Sequence, residues 1–115
     1  MNLKEYQEIC KKTAKKFDNK KEEAYTWGLG LAGEVGDVAG CIIKVCAHEN
    51  KPLQEGIKEN IGDSLWYMAM LCNVFNWDLD EILKENIDKL KKRYPGGFTL
   101  EDAQRQGTKI DWNEK

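Results

Sequence analysis

Two stretches of the chain carry oxygen donors at helical spacing. Glu34 and Asp37 stand three apart in GLAGEVGDVAG, and Glu59, Asn60 and Asp63 supply four-apart and three-apart pairs in KENIGDSLW. On a helix each set projects from one face. Carboxylates gathered in a poorly hydrated cleft repel one another and cost several kcal/mol per ion unless neutralised. A divalent cation neutralises them. Oxygen-only donors favour Mg²⁺, Mn²⁺ or Ca²⁺, whereas a closed zinc site recruits Cys or His, and the single histidine, His48, lies outside any such spacing. The absence of Glu-x-x-His pairs disfavours a di-iron carboxylate bundle. The same acids also read as solvated helix-surface charges or lysine partners.

Cationic candidates follow later in the chain. Lys89 and Arg93 are four apart, with Asn86 on the same face, so the three can grip an anionic group, although KLKKR also reads as a solvated face. Trp27 and Trp66 read as core rather than base-stacking groups, and His48 as an exposed loop residue. Gly28, Gly30 and Gly33 spell G-x-G-x-x-G, but the preceding KKEEAYTW is no strand and the glycines run into a helical period, so a dinucleotide-binding turn is set aside.

The elements that must hold these groups are helices. Leu3, Tyr6, Ile9, Cys10, Thr13, Ala14 and Phe17 recur at three and four residue steps and predict a helix from Leu3 to Phe17. Trp27, Leu31, Val35, Val38, Ile42 and Val45 predict a second from about Ala24 to Ala47, with Glu34 and Asp37 at the boundary between its faces, projecting the same way. Gly33, Gly36 and Gly40, with Ala32 and Ala39 nearby, form an opposite small-residue face that suits close approach of another helix, from this chain or a second one, or room for a bulky ligand. A break at His48 to Pro52 precedes a third, central helix reaching about Phe75. Asp78 and Glu81 have capping-box spacing before a fourth, which should end near Arg93 at Pro95-Gly96-Gly97. Thr99 then caps a short turn or tail that packs through Trp112. If the second and third helices pair antiparallel, Asp37 and Asp63 lie about 15 and 18 Å from their turn, so the acids face each other at similar heights.

No strict alternation, hairpin dipeptide or internal repeat competes. The expected fold is all-α, with a four-helix bundle-like core and a short C-terminal helical turn or tail, forming one domain over residues 1–115. At 41% hydrophobic and 33% charged with 2 Pro, the composition excludes collagen-like, proline-rich and disordered classes. A formal charge of -2 argues against a nucleic-acid partner held by a broad basic surface, so any phosphate site has to be local. The charged N-terminus lacks a signal-peptide apolar region, and IGDSLWYMAMLCNVF is interrupted by Asp63, Ser64 and Asn73, so neither secretion nor a membrane span is expected. Cys10, Cys41, Cys46 and Cys72 have no C-x-x-C spacing and read as small core residues, reduced in a cytoplasmic chain.

Taken together, GLGLAGEVGDVAGCIIK, ENIGDSLWYMAML and ENIDKLKKRYPGGF resemble the MazG-type nucleotide pyrophosphohydrolases of the all-α NTP pyrophosphatase superfamily. That resemblance implies hydrolysis of (d)NTP between the α and β phosphates to a monophosphate and pyrophosphate, with Mg²⁺, or Mn²⁺ as a substitute, held by E-x-x-E and E-x-x-D pairs. By position the metal set is Glu34, Asp37, Glu59, Asn60 and Asp63. Asp37 replaces a Glu, and Asn60 stands where the second pair has its first acid, so either the Asn60 carbonyl oxygen or the neighbouring Glu59 takes that place. Glu34 or Glu59 is the catalytic candidate as general base, and Tyr67, Asn86, Lys89 and Arg93 match substrate-contacting positions. The resemblance further implies a house-cleaning or pool-control role and a homodimer or homotetramer that completes the site. The rival readings are a non-catalytic nucleotide- or metal-binding helical assembly module and a broader phosphohydrolase releasing orthophosphate.

Overall fold

A computed structural model describes residues 1–48 and 51–104. Five helices follow in chain order: α1 Leu3–Thr13, α2 Lys20–His48, α3 Lys51–Val74, α4 Leu79–Arg93 and α5 Leu100–Gln104. Among the described residues there is no strand beyond an isolated bridge between Pro95 and Gly97. The all-α expectation holds. By its internal contacts the chain divides into two compact units, Met1–Asp80 and Glu81–Lys115.

Local chemistry sets the helix ends. Asn2 caps α1 by accepting the Glu5 N–H at 2.8 Å. The helix ends at Thr13 rather than Phe17: Ala14 is extended, the Thr13 hydroxyl donates to the Cys10 carbonyl at 2.9 Å, and Phe17 packs edge-on against Trp27 at 5.5 Å. Asn19 caps α2, which starts at Lys20, four residues before the expected Ala24. Its side chain accepts the Glu22 N–H at 3.1 Å, and Glu22 and Glu23 fill the first turn, where carboxylates complement the helix dipole. α2 then continues through His48, so His48 is helical rather than a loop residue. Positions 49 and 50 of the expected break, and Trp112 of the expected tail, lie outside the described residues.

α3 ends in a Schellman arrangement. Asn76 takes the left-handed conformation at φ 57°, its N–H donates to the Asn73 carbonyl at 3.3 Å, and the Trp77 N–H donates to the Cys72 carbonyl at 2.8 Å. Asp78 caps α4 as expected, accepting the Asp80 N–H at 2.9 Å, but Glu81 pairs with Lys84 at 3.4 Å instead of closing the box. The next orphan donor, Leu79 N–H, is taken by the Gln7 side-chain carbonyl at 3.0 Å. Gln7 is buried and also donates to Asn73 Oδ1 and the Trp77 carbonyl, which ties α1 to the end of α3.

Within Met1–Asp80, α3 is central and packs against both α1 and α2. The core comprises Cys10, Trp27, Ala69, Met70, Cys72, Val74 and Leu79, with Leu3, Tyr6, Phe17 and Trp66 packed around it. Trp27 is buried, as its core reading requires, and meets Trp66 edge-on at 5.1 Å; the Trp66 indole N–H donates to Thr13 Oγ1 at 2.8 Å. Over residues 28–46 and 53–63 none is buried. Here α2 and α3 form a two-helix arm whose seam half-buries Leu31, Glu34, Val38 and Val45 while Val35, Ile42 and Ile43 stay exposed. Two of the predicted stripe residues, Val35 and Ile42, therefore lie off the seam. Cys10 and Cys72 are core residues; Cys41 is only half-buried and Cys46 is exposed, because no third helix of this unit covers the arm.

In the second unit, Gly97 at φ 89° and Pro95 separate α4 from α5. Tyr94 and Phe98 lie 5.8 Å apart, and the Thr99 hydroxyl caps α5 by accepting the Asp102 N–H at 3.0 Å, as its sequence position predicts.

Candidate functional site

The register of the arm is set by an aromatic contact. A Cβ at Gly30 would overlap the Tyr67 ring, so glycine alone lets α3 approach α2 this closely. Trp27 meets the same ring with centroids 6.1 Å apart. One helical turn beyond Gly30 on α2 is Glu34, and one turn before Tyr67 on α3 is Asp63, so the two lie at one level of an antiparallel pair. Asp37 and Glu59 occupy the next level.

This convergence is visible in the electrostatics. Glu34 is half-buried on the seam, and its carboxyl is held above its ordinary value, first by desolvation and then by the negative charges of Asp63, Asp37 and Glu59. The other three acids thus all act on Glu34. Glu34 is half-buried and Asp37, three residues on and a neighbour on the same side of α2, is exposed. Asn60 is half-buried, and its backbone carbonyl accepts the Ser64 hydroxyl at 2.7 Å.

Among the described residues, no three His, Cys, Asp or Glu side chains stand close enough together to hold one ion as they are. The donor chemistry nevertheless fits a hard dication, because α2 and α3 bring carboxylates and the Asn60 amide oxygen to the same levels without nitrogen or sulfur.

Two neighbours of this cluster do not stand out from spacing. Tyr6 looks like one apolar position of α1, yet its phenol is pushed up to about 12 by burial, by Cys10 and by the negative charge of Asp63. Gly30 belongs to the G-x-G-x-x-G run set aside above, and its role as the seat of Tyr67 emerges only once the helices are paired. By contrast, Gly33, Gly36 and Gly40 face open space, so the expected close helix packing on that face is absent within the described chain.

Asn86, Lys89 and Arg93 belong to the second unit. Asn86 and Lys89 are exposed on α4, while Arg93 is half-buried with its guanidinium 5.9 Å from the Tyr94 ring. No helix among the described residues is long and apolar enough to cross a membrane.

A protein of Mycobacterium phage L5, the Gene 37 protein, is 27% identical over 73 residues, covering 60% of this chain and 64% of its own length. The matched segment thus falls short of two thirds of that relative. No solved structure matches the chain. The MazG nucleotide pyrophosphohydrolase domain profile matches residues 22–98, a span that includes the acids of α2 and α3 and the cations of α4. The chain belongs to the MazG nucleotide pyrophosphohydrolase family.

Proposed function

We propose that this protein, as one MazG-like domain over residues 1–115, is a Mg²⁺-dependent nucleoside triphosphate pyrophosphohydrolase that cleaves (d)NTP between the α and β phosphates in a cytoplasmic house-cleaning role. The observation that carries the reading is the negative charge that Asp37, Glu59 and Asp63 bring to bear on Glu34 across one helix pair, at the centre of the family match. A bound Mg²⁺, or Mn²⁺ in its place, would offset phosphate charge and activate water.

Glu34, Asp37, Asp63 and either Glu59 or the Asn60 carbonyl oxygen would hold that ion. Glu34, which faces the other three acids, would accept a proton from the attacking water as general base. Glu59 is the alternative base if Asn60 serves the metal. Tyr67, wedged over Gly30 one turn from Asp63, would orient the nucleotide, and Asn86, Lys89 and Arg93 would complement its anionic oxygens. A homodimer or homotetramer is part of the proposal: the arm exposes Leu29, Val35, Ile42, Ile43 and Ile61, apolar side chains that neighbouring copies would cover.

The test is to incubate a panel of normal and modified triphosphates with Mg²⁺ and identify the products. Monophosphate plus pyrophosphate, lost in Asp63→Ala and kept in Lys58→Ala, is the expected result. Orthophosphate release would move the reaction to a different bond. No turnover of any nucleotide by folded protein would favour the non-catalytic module, for which Asn60 in place of an acid is the specific sign.

A further inference from the structure

The lysines of this acidic chain are unevenly placed. Residues 11–21 hold Lys11, Lys12, Lys15, Lys16, Lys20 and Lys21 against the single acid Asp18, in a chain of formal charge -2. In the fold they lie at the α1 end of the first unit, away from the acidic cluster: Asp63 and Asn73 are ten residues apart on α3, about 15 Å. Two grooves open there and share Lys11 and Asn73. One, of about 230 Å³, is bordered by Lys15, Lys16 and Phe17; the other, of about 210 Å³, by Lys4 and Trp77.

The acids along these grooves already have partners. Glu8 pairs with Lys11 at 2.8 Å, Glu23 accepts the Trp27 indole N–H at 3.3 Å, and Asp78 caps α4. Neutral donors leave the charges of Glu23 and Asp78 in place, so Lys4, Lys11, Lys15 and Lys16 outnumber the lining carboxylates Glu8, Glu23 and Asp78 by one, with the positive charge concentrated at Lys15 and Lys16. Beside the grooves stands an aromatic platform outside the core: Phe75 and Trp77, 41% and 55% exposed, stack at 4.7 Å with 24° between their planes. The Trp77 main chain is held by its backbone N–H, which donates to the Cys72 carbonyl, and by Gln7 donating to its backbone carbonyl. Lys20 lies 5.4 Å from the Phe75 ring centre.

We infer that the lysine grooves of the α1 end and the Phe75–Trp77 stack bind single-stranded nucleic acid, independently of the acidic cluster. Lysines follow a phosphate backbone, and an exposed indole offers an unpaired base a stacking surface that needs no sequence. A duplex keeps its bases stacked on each other and gains nothing from the platform. An acidic peptide would use the lysines but leave the aromatic pair idle. This is a local phosphate site in a chain whose net charge alone points away from nucleic acid.

The test is fluorescence anisotropy of a short labelled oligothymidylate with the full chain, in EDTA so that metal-dependent binding and turnover are silent. Binding at low salt that weakens linearly on a logarithmic salt axis is expected. Trp77→Ala should weaken it at least about tenfold, and the double variant Lys15→Ala/Lys16→Ala should flatten the salt slope by about 0.7 for each phosphate it no longer neutralises. Circular dichroism establishes that each variant is folded; if Trp77→Ala is not, the lysine variant and quenching of indole emission by the oligonucleotide decide. The inference is overturned by the absence of binding at low salt, by equal affinity for a duplex, by inorganic polyphosphate or an acidic peptide binding as tightly as the oligonucleotide, or by folded variants that bind like the parent.

Discussion

The first unit has a closed end and an open arm built from the same two long helices. At the closed end α1 supplies a third layer, and Cys10, Trp27, Ala69, Met70 and Leu79 are buried within it. Along the arm only α2 and α3 meet within this unit, so a seam forms but no enclosed core. The difference separates two tasks. Burial at the closed end fixes the register through Trp27, Tyr67 and Gly30, and that register sets the level of Glu34 against Asp63 one turn into the arm. The acids sit where water and a ligand can still reach them. A fully enclosed position would raise the desolvation penalty of four carboxylates further.

Core truncation should separate the two regions most sharply. Trp27→Ala removes a buried indole from an aromatic cluster and should cost about 3–5 kcal/mol in chemical denaturation, whereas Ile43→Ala, 71% exposed on the arm, should cost less than about 0.5 kcal/mol in the dilute protein. A large loss from Ile43→Ala that grows with protein concentration would instead mark the arm as covered by a second copy.

Glycine substitutions sharpen the same contrast. Gly30→Ala forces the Tyr67 ring away and should lower stability by about 1–3 kcal/mol, as overpacking does. Gly36→Ala meets open space within a helix and should raise stability by about 0.5–1 kcal/mol. Thermal melts of the two variants should move in opposite directions.

Alkaline pH probes the closed end where it touches the acids. Tyr6 has a folded value raised to about 12, so the fold holds its proton more tightly than the unfolded chain does. Its contribution is fully present below the ordinary tyrosine value of 10.0 and is lost as pH rises from there through about 12. Tyr6→Phe should flatten that part of the stability profile. A smaller, purely kinetic contrast comes from the thiols. Burial raises Cys10 and Cys72, so a thiol reagent at neutral pH should label exposed Cys46 first, then Cys41, and the two core thiols only on unfolding.

Much of this organisation is legible in the sequence. Apolar periodicity locates the four main helices, Thr99 and the Pro95-Gly96-Gly97 stop mark the right places, and equal counting from the α2–α3 connection brings the acids to common heights. The helix ends are less legible because they depend on competing local bonds. Thr13 diverts the end of α1, and Asn19 with Glu22 carries the spacing of an N-terminal cap that the apolar stripe overshadows. Which faces are covered is not legible at all. Periodicity gives the same weight to Val35 and Val38, and only the pairing of α2 with α3 leaves one exposed and the other on the seam. The open side of Gly33, Gly36 and Gly40 follows from the same pairing, since a stripe of small residues states that something can approach and not what does. At the site, the carboxylates are evident from their spacing, while Tyr6 and Gly30 require knowledge of which helix lies opposite.

The central claim is that Glu34, Asp37, Glu59 and Asp63 form one electrostatic unit that a dication relieves. Isothermal titration of Mn²⁺ into the protein, with a triphosphate whose α–β bridge is non-hydrolysable, tests it without depending on turnover. The account predicts saturable uptake that Asp63→Ala weakens at least about tenfold, equivalent to about 1.4 kcal/mol, consistent with loss of a charged ligand. Absence of uptake by the parent protein, or equal uptake by the folded variant, would contradict it.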